Sequence, residues 1–332
     1  MEQKSQRNYT LDIMRIVACI AVIVCHTSGS LVTHNQVAPG TAWFNQCLGI
    51  NAFIRWAVPF FVMLTGFFML DPLKKVQLKT LYSKNILRIF SALVFWSFFY
   101  GIIYHTSFYP LGEQESHLWY LGMIIGVYFA IPILRYITQN QTILKYFSLV
   151  WMAAMCYQFI GHFTTLPVNL DKMIFVDYAG CAVFAYYIKT LFYNKEETPQ
   201  LKRLSHIIYI LGLIGLIVTL VLGIKMQNID GDFFRYVSPN VLATTTAALV
   251  FSIRHPLNLT GKIAALVENC SKCTFGIYLF HIWVLVQIVN RIHRIVPQPI
   301  PMTILCVSGA FLVSYAVTFV LKKIPIVQKY IV

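Results

Sequence analysis

Ten stretches of mostly apolar residues divide the chain, near 11–29, 46–70, 84–104, 118–134, 143–161, 174–193, 204–224, 236–253, 272–290 and 300–321. Each is close to the ~20 residues that a helix needs to cross a bilayer. Short polar segments, most of them basic, lie between them. The fourth stretch is interrupted by Pro132, and the fifth and sixth are rich in aromatic and polar residues. The pattern predicts an all-α, polytopic membrane protein of about ten transmembrane helices, forming a single domain over residues 1–332. The most polar segment, 194–203, reads as a loop between two helical halves, and no repeat of fixed period stands out.

Composition strengthens this reading. Hydrophobic residues make up 58% of the chain and charged residues 11%, with a mean hydropathy of +0.67. Soluble domains carry about one-quarter charged residues, so a soluble globule is excluded. The 26 Lys and Arg outnumber the 12 Asp and Glu. Nucleic-acid binding would require these cations on one solvated face, whereas a membrane protein retains them in its cytoplasmic loops. With the N-terminus placed inside, 18 of them fall in cytoplasmic segments and 5 outside. Both termini are therefore expected in the cytoplasm, as an even helix count requires. Lys4 and Arg7 ahead of an apolar run imitate a signal peptide. Asp12 and Arg15 within that run, and the lack of a small-residue cleavage site, favour a retained first helix.

The eight cysteines are scattered, mostly inside apolar runs where a thiol behaves as a small hydrophobe. Cys270 and Cys273 form a lone C-x-x-C without the second ligand pair of a zinc site, and no metal is expected. The sequons at Asn140 and Asn258 fall in loops assigned to the cytoplasm and carry no information.

A charge inside a span costs at least ~2.5–3.5 kcal/mol on insertion scales, so each one needs a reason. Arg15 and His26 lie eleven residues apart on the first helix. Eleven steps of about 100° end roughly 20° from three full turns, so the two share a face, about 16 Å apart along the axis. Asp12, Cys19 and Val22 share that face. The plain alternatives are a snorkelling interfacial cation for Arg15 and a hydrogen-bonded core histidine for His26. Arg55, ahead of Trp56 and Pro59, is either functional or held by a structural ion pair or a cation–π contact near Trp56. Arg88 is either functional or snorkels to the cytoplasm. His281, near mid-membrane on the ninth stretch, is either functional or a packed, hydrogen-bonded histidine. Asp177 and Glu268 lie near helix ends and read as solvated. His105 and His117 fall in or beside an external loop with Glu113 and Glu115, as surface residues or as the lining of an outer vestibule.

Four short motifs in order carry a family resemblance. Asn8 to Arg15 followed by ten residues and His26, Val58-Pro59-Phe60-Phe61-Val62-Met63-Leu64-Thr65-Gly66-Phe67, His117-Leu118-Trp119-Tyr120-Leu121, and Gly276-Ile277-Tyr278-Leu279-Phe280-His281 resemble the motifs of the acyltransferase-3 family. Thr65 stands where the family usually has Ser, and no carboxylate occurs between Met123 and Tyr128. The chain looks closer to the short branch that O-acetylates surface glycans, similar to the enterobacterial common antigen O-acetyltransferase. It shows no stretch like the extra C-terminal extracytoplasmic domain of some other branches.

The resemblance implies a multi-pass protein of a bacterial inner or plasma membrane, with acetyl-CoA as donor and a glycan hydroxyl as acceptor. Arg15 and Arg88 would neutralise the donor phosphates. His26 would act as general base or as acetylated nucleophile, with Arg55, Tyr120 or His281 donating to the oxyanion. Asp12, His117, Trp119 and Tyr120 would meet substrate. A transporter or exporter of a glycan or other anion, or a membrane-embedded ligand-binding module, are the competing classes. The oligomeric state is left open, a homo-oligomer among the alternatives.

Overall fold

A computed structural model describes residues 7–34, 37–74, 76–105, 117–161, 163–164, 177–228, 231–292, 295–296 and 298–332. Glu113 and Glu115, expected beside an outer vestibule, lie outside the described residues. All regular structure among the described residues is helical: α1 (Tyr9–His34), α2 (Ala42–Ile54), α3 (Ala57–Met69), α4 (Leu78–Thr80), a π-helical turn (Leu81–Ile86), α5 (Leu87–Tyr104), α6 (Trp119–Gln139), α7 (Gln141–Gly161), α8 (Asp177–Phe192), α9 (Pro199–Met226), a 3₁₀ turn (Asp232–Phe234), α10 (Pro239–Arg254), α11 (Gly261–Ile292), α12 (Pro299–Leu321) and α13 (Pro325–Tyr330).

Among the described residues each of the ten predicted stretches falls on helix, the second broken into α2 and α3. Eight helical segments among the described residues are long and apolar enough to span a bilayer. The other two are α8, of which 16 residues are described, and α10, which has 16 between its Ser238 cap and His255. At 1.5 Å per residue α10 is about 24 Å long, short of the ~30 Å hydrocarbon core. Both are packed among other helices, α8 against α3, α6 and α7 and α10 against α9 and α3. By contrast, only 22% of the most apolar window of α9 and of α12 is buried. Leu213, Ile210 and Leu312 on these helices are more than half exposed, which suits a lipid-facing surface.

Pro59 explains the break between α2 and α3. It has no N–H to offer the carbonyl of Arg55, four residues back, and its ring collides with that carbonyl. The helix therefore ends at Ile54 and restarts at Ala57, leaving Arg55 at the break.

Small residues set the closest approaches. Gly66 of α3 lies against the backbone of α8, where an added Cβ would collide with the Ala182 carbonyl. A backbone atom cannot swing aside as a side chain can. Gly66→Ala is therefore expected to cost about 3 kcal/mol or more, read as a lowered unfolding temperature in detergent. An unchanged temperature would show that the two helices separate freely.

Polar contacts gather at one end of the bundle. Arg7 pairs with Asp12 at 2.6 Å and with Glu268 at 3.0 Å, and the Lys322 ammonium donates to the Lys272 carbonyl at 3.1 Å. The start of α1, the first part of α11 and the end of α12 thus meet there, at the basal end of the bundle. In the same region Lys189 reaches Asp71 at 3.0 Å, and Arg135 donates to the carbonyls of Met69, Pro72 and Lys74. Burial alone would raise the Asp71 carboxyl, but its hydrogen bond and ion pair with Lys189 hold it below the usual carboxylate range. Part of the basic excess is therefore structural.

Candidate active site

α1 lies at the centre of the assembly, against α2, α3, α10, α11 and α12. Along it runs a cavity of about 860 Å³ that reaches both Arg15 and His26. Charge is distributed unevenly around it. Arg15, Lys84, Arg88, Lys272, Lys322 and, further along, Arg55 line it, and among the described residues no Asp or Glu does. Four of these belong to the first part of α1, the first half of α11, the end of α12 and the π-helical turn. The basal part is thus a cationic mouth.

Arg15 is held by polar partners and is not sealed off from the cavity. Its guanidinium lies 3.6 Å from the Asp12 carboxylate and donates to the Ser271 hydroxyl at 3.4 Å, with the Phe68 ring 5.9 Å away. Asp12 itself does not line the cavity. It is buried, accepts from Ser271 at 2.6 Å, and pairs with Arg7. Its place is behind Arg15, holding the start of α1 to α11. Arg88 donates to the Val332 carbonyl at 2.8 Å and lies 5.3 Å from the Phe275 ring centroid.

Further along, the helix break places Arg55 at the cavity wall. It donates to the Tyr236 hydroxyl at 3.1 Å and stacks over Phe234 and Tyr236 at 4.9 and 5.3 Å. Its cation–π partners are therefore these two rings, while Trp56 packs on Phe60 at 5.6 Å. Trp119 lies parallel to Tyr236, 5.7 Å away and 16° from coplanar, and Tyr120 lines the same wall.

Three histidines converge beyond Arg55. The ring of His26 lies 5.3 Å from that of His281 and 6.2 Å from that of His117, and the last two are 5.6 Å apart. His117 was expected in or beside an external loop, as a surface residue or as vestibule lining. It lies just ahead of α6, 1% exposed rather than on the surface, lines the cavity and packs edge-on against Tyr100 at 4.9 Å. Leu118 and Trp119 beside it are apolar, and they carry it inward. His105 does remain exposed, at the left-handed cap of α5. His281 is fully buried and lies behind the cavity wall rather than on it. Among the described residues, no group of three or more His, Cys, Asp or Glu is arranged to hold a metal ion. All eight cysteines are free.

Several lining residues escaped the sequence reading. Ser271, Phe275 and Tyr278 fall at helical spacing on α11, and that periodicity could have found them. Tyr236 could not be found this way, because it reaches the cavity from the irregular turn ahead of α10.

Residues 8–319 match a family described as an acyltransferase domain. The chain is also similar to a curated protein of Enterococcus faecalis described as an amino-acid racemase, at 24% identity over 316 residues. That match takes in 86% of this chain and 42% of the relative, so the chain spans less than half of the relative's length. No solved structure matches. Neither match points to the common-antigen branch that the motifs resemble.

Proposed function

This chain belongs to the acyltransferase-3 family, and from that premise we propose that it moves an acetyl group from cytoplasmic acetyl-CoA to a hydroxyl of a cell-surface or lipid-linked glycan. The observation that carries this reading is the single cavity lined by both Arg15 and His26. With the basal end in the cytoplasm of a bacterial-type cell, the cations of the mouth meet the donor phosphates through charge-assisted hydrogen bonds. The extended pantetheine arm then spans the ~16 Å to His26.

At that depth the acceptor hydroxyl attacks the thioester carbonyl while His26 takes its proton. The new C–O bond forms, the C–S bond breaks, and His26 returns the proton to the departing thiolate. Arg55 and Tyr120 share the cavity with His26 and are the donors for the developing oxyanion. His281, behind the wall, is not.

The broken helix at Arg55 also suits a carrier of an anionic solute, since interrupted spans with exposed helix ends recur at transport sites. One experiment separates the two. Membrane vesicles are given acetyl-CoA labelled in the acetyl group, and label is followed into the glycan fraction. Incorporation that depends on the protein is expected. Label that never leaves the thioester, together with protein-dependent uptake of an anionic glycan or an amino acid, would establish the carrier instead. Amino acids belong in that trial because of the name of the racemase-described relative.

A further inference from the structure

A buried nitrogen beside His26 stands without a partner. His281 Nε2 makes no hydrogen bond, whereas the ring of His117 meets the backbone of Leu279. A buried polar atom left unpaired destabilises the fold. One placed next to the candidate base therefore calls for a use.

The state of His281 can be read from its surroundings. Its Nδ1 lies 2.6 Å from the Tyr278 carbonyl. A carbonyl only accepts, so Nδ1 carries the hydrogen and the neutral ring keeps a bare lone pair on Nε2. Tyr278 secures the arrangement from both sides, since its hydroxyl donates to the His117 carbonyl.

Separation decides which neighbour that lone pair serves. The rings of His26 and His281 lie 5.3 Å apart with their planes at 51° and do not bond in this arrangement; with His281 held on the Tyr278 carbonyl, a turn of the His26 ring brings the facing nitrogens within about 3 Å, a hydrogen-bond distance. By the same measure His117, at 5.6 Å from His281, brings a nitrogen only to about 3.3 Å, past the usual hydrogen-bond range, and at 6.2 Å from His26 only to about 4 Å.

We propose that His281 is the positioning residue of His26: its Nε2 accepts the hydrogen on one nitrogen of His26 and so leaves the other nitrogen free to take the acceptor's proton. This rests on the acyl-transfer reading. During reaction the acceptor proton moves to the free nitrogen of His26, and the resulting cation is shared with His281 across the hydrogen bond. The thiolate then takes that proton, and both rings end neutral. The role resembles that of the third member of a catalytic triad, which orients an imidazole without meeting substrate. A buried neutral imidazole performs it here without placing a second charge in the bilayer.

The test uses the full chain in membranes with acetyl-CoA as donor. His281→Ala is expected to lower kcat at least tenfold while KM for acetyl-CoA stays within twofold. His281→Gln, whose amide oxygen can accept from His26, is expected to recover most of that loss. An alanine variant within twofold of the parent, or a loss that glutamine does not repair, would overturn the proposal. A second measurement needs neither turnover nor a variant. In the ¹⁵N-histidine-labelled parent protein, the His26 N–H is expected to couple to His281 Nε2. Coupling of that Nε2 to His117 instead, or a His26 hydrogen spread over both nitrogens, would refute it. A parent that shows the expected coupling but no transfer from acetyl-CoA counts against the acyl-transfer reading, not against the pair.

Discussion

His26→Ala is expected to lower acetyl transfer by roughly a hundred- to ten-thousand-fold, the range that a positioned general base contributes, while the protein still inserts and folds. The asymmetry between function and fold follows from its position. His26 is only half-buried and faces the cavity, so truncation enlarges an existing space rather than opening a void in packed structure. The core beside it, with Ile23 and Ala18 fully buried, is left intact. The measurement pairs the initial rate of labelled acetyl incorporation with the unfolding temperature in detergent. An alanine variant that keeps half the parent rate would remove His26 from the chemistry. A rate lost together with the folded protein would do the same for the claim that its role is chemical.

Arg15→Gln is expected to raise KM for acetyl-CoA about ten- to a hundredfold, with a smaller change in kcat. Hydrogen bonds to charged groups contribute about 1.5–3 kcal/mol each, which converts to that range. The fold has reason to tolerate the change, because Asp12 keeps Arg7 and Ser271, both at 2.6 Å. Arg15→Lys keeps the charge but not the planar fork and is expected to fall between the two. The KM of the parent enzyme should rise with ionic strength, since the mouth is open to solvent, and this dependence should flatten in the glutamine variant. A KM within twofold of the parent for Arg15→Gln would place the donor phosphates elsewhere.

Much of this organisation was legible before any coordinates. The ten helical stretches follow from apolar length alone, and the eleven-residue spacing does put Arg15 and His26 on one cavity. What failed to show did so for identifiable reasons. Helical periodicity put Asp12 on the same face as Arg15, but only the packed structure shows that Arg7 and Ser271 occupy its carboxylate. The polar run before His117 suggested an exposed loop, and the burial of that histidine depends on Tyr100 and Tyr278, more than a hundred residues from each other in sequence. Arg55 was read beside its neighbour Trp56, whereas its ring partners, Phe234 and Tyr236, come from a turn about 180 residues away. Pairwise contacts across the bundle leave no trace in a single sequence. Periodicity along one helix does.

The short α10 has a consequence for the cavity wall. Because that helix begins only at Pro239, the turn before it, with Phe234, Val237 and Ser238 buried, descends into the bundle. Irregular backbone survives at such depth only when enclosed by protein or wetted. A helix about 6 Å shorter than the hydrocarbon slab thus ends against protein rather than acyl chains, since along α10 only Phe251 is exposed. The length it gives up is taken by the turn that brings Tyr236 to the cavity wall. Lengthening α10 by one helical turn at Pro239 would accordingly carry that hydroxyl away from Arg55 and uncouple the two.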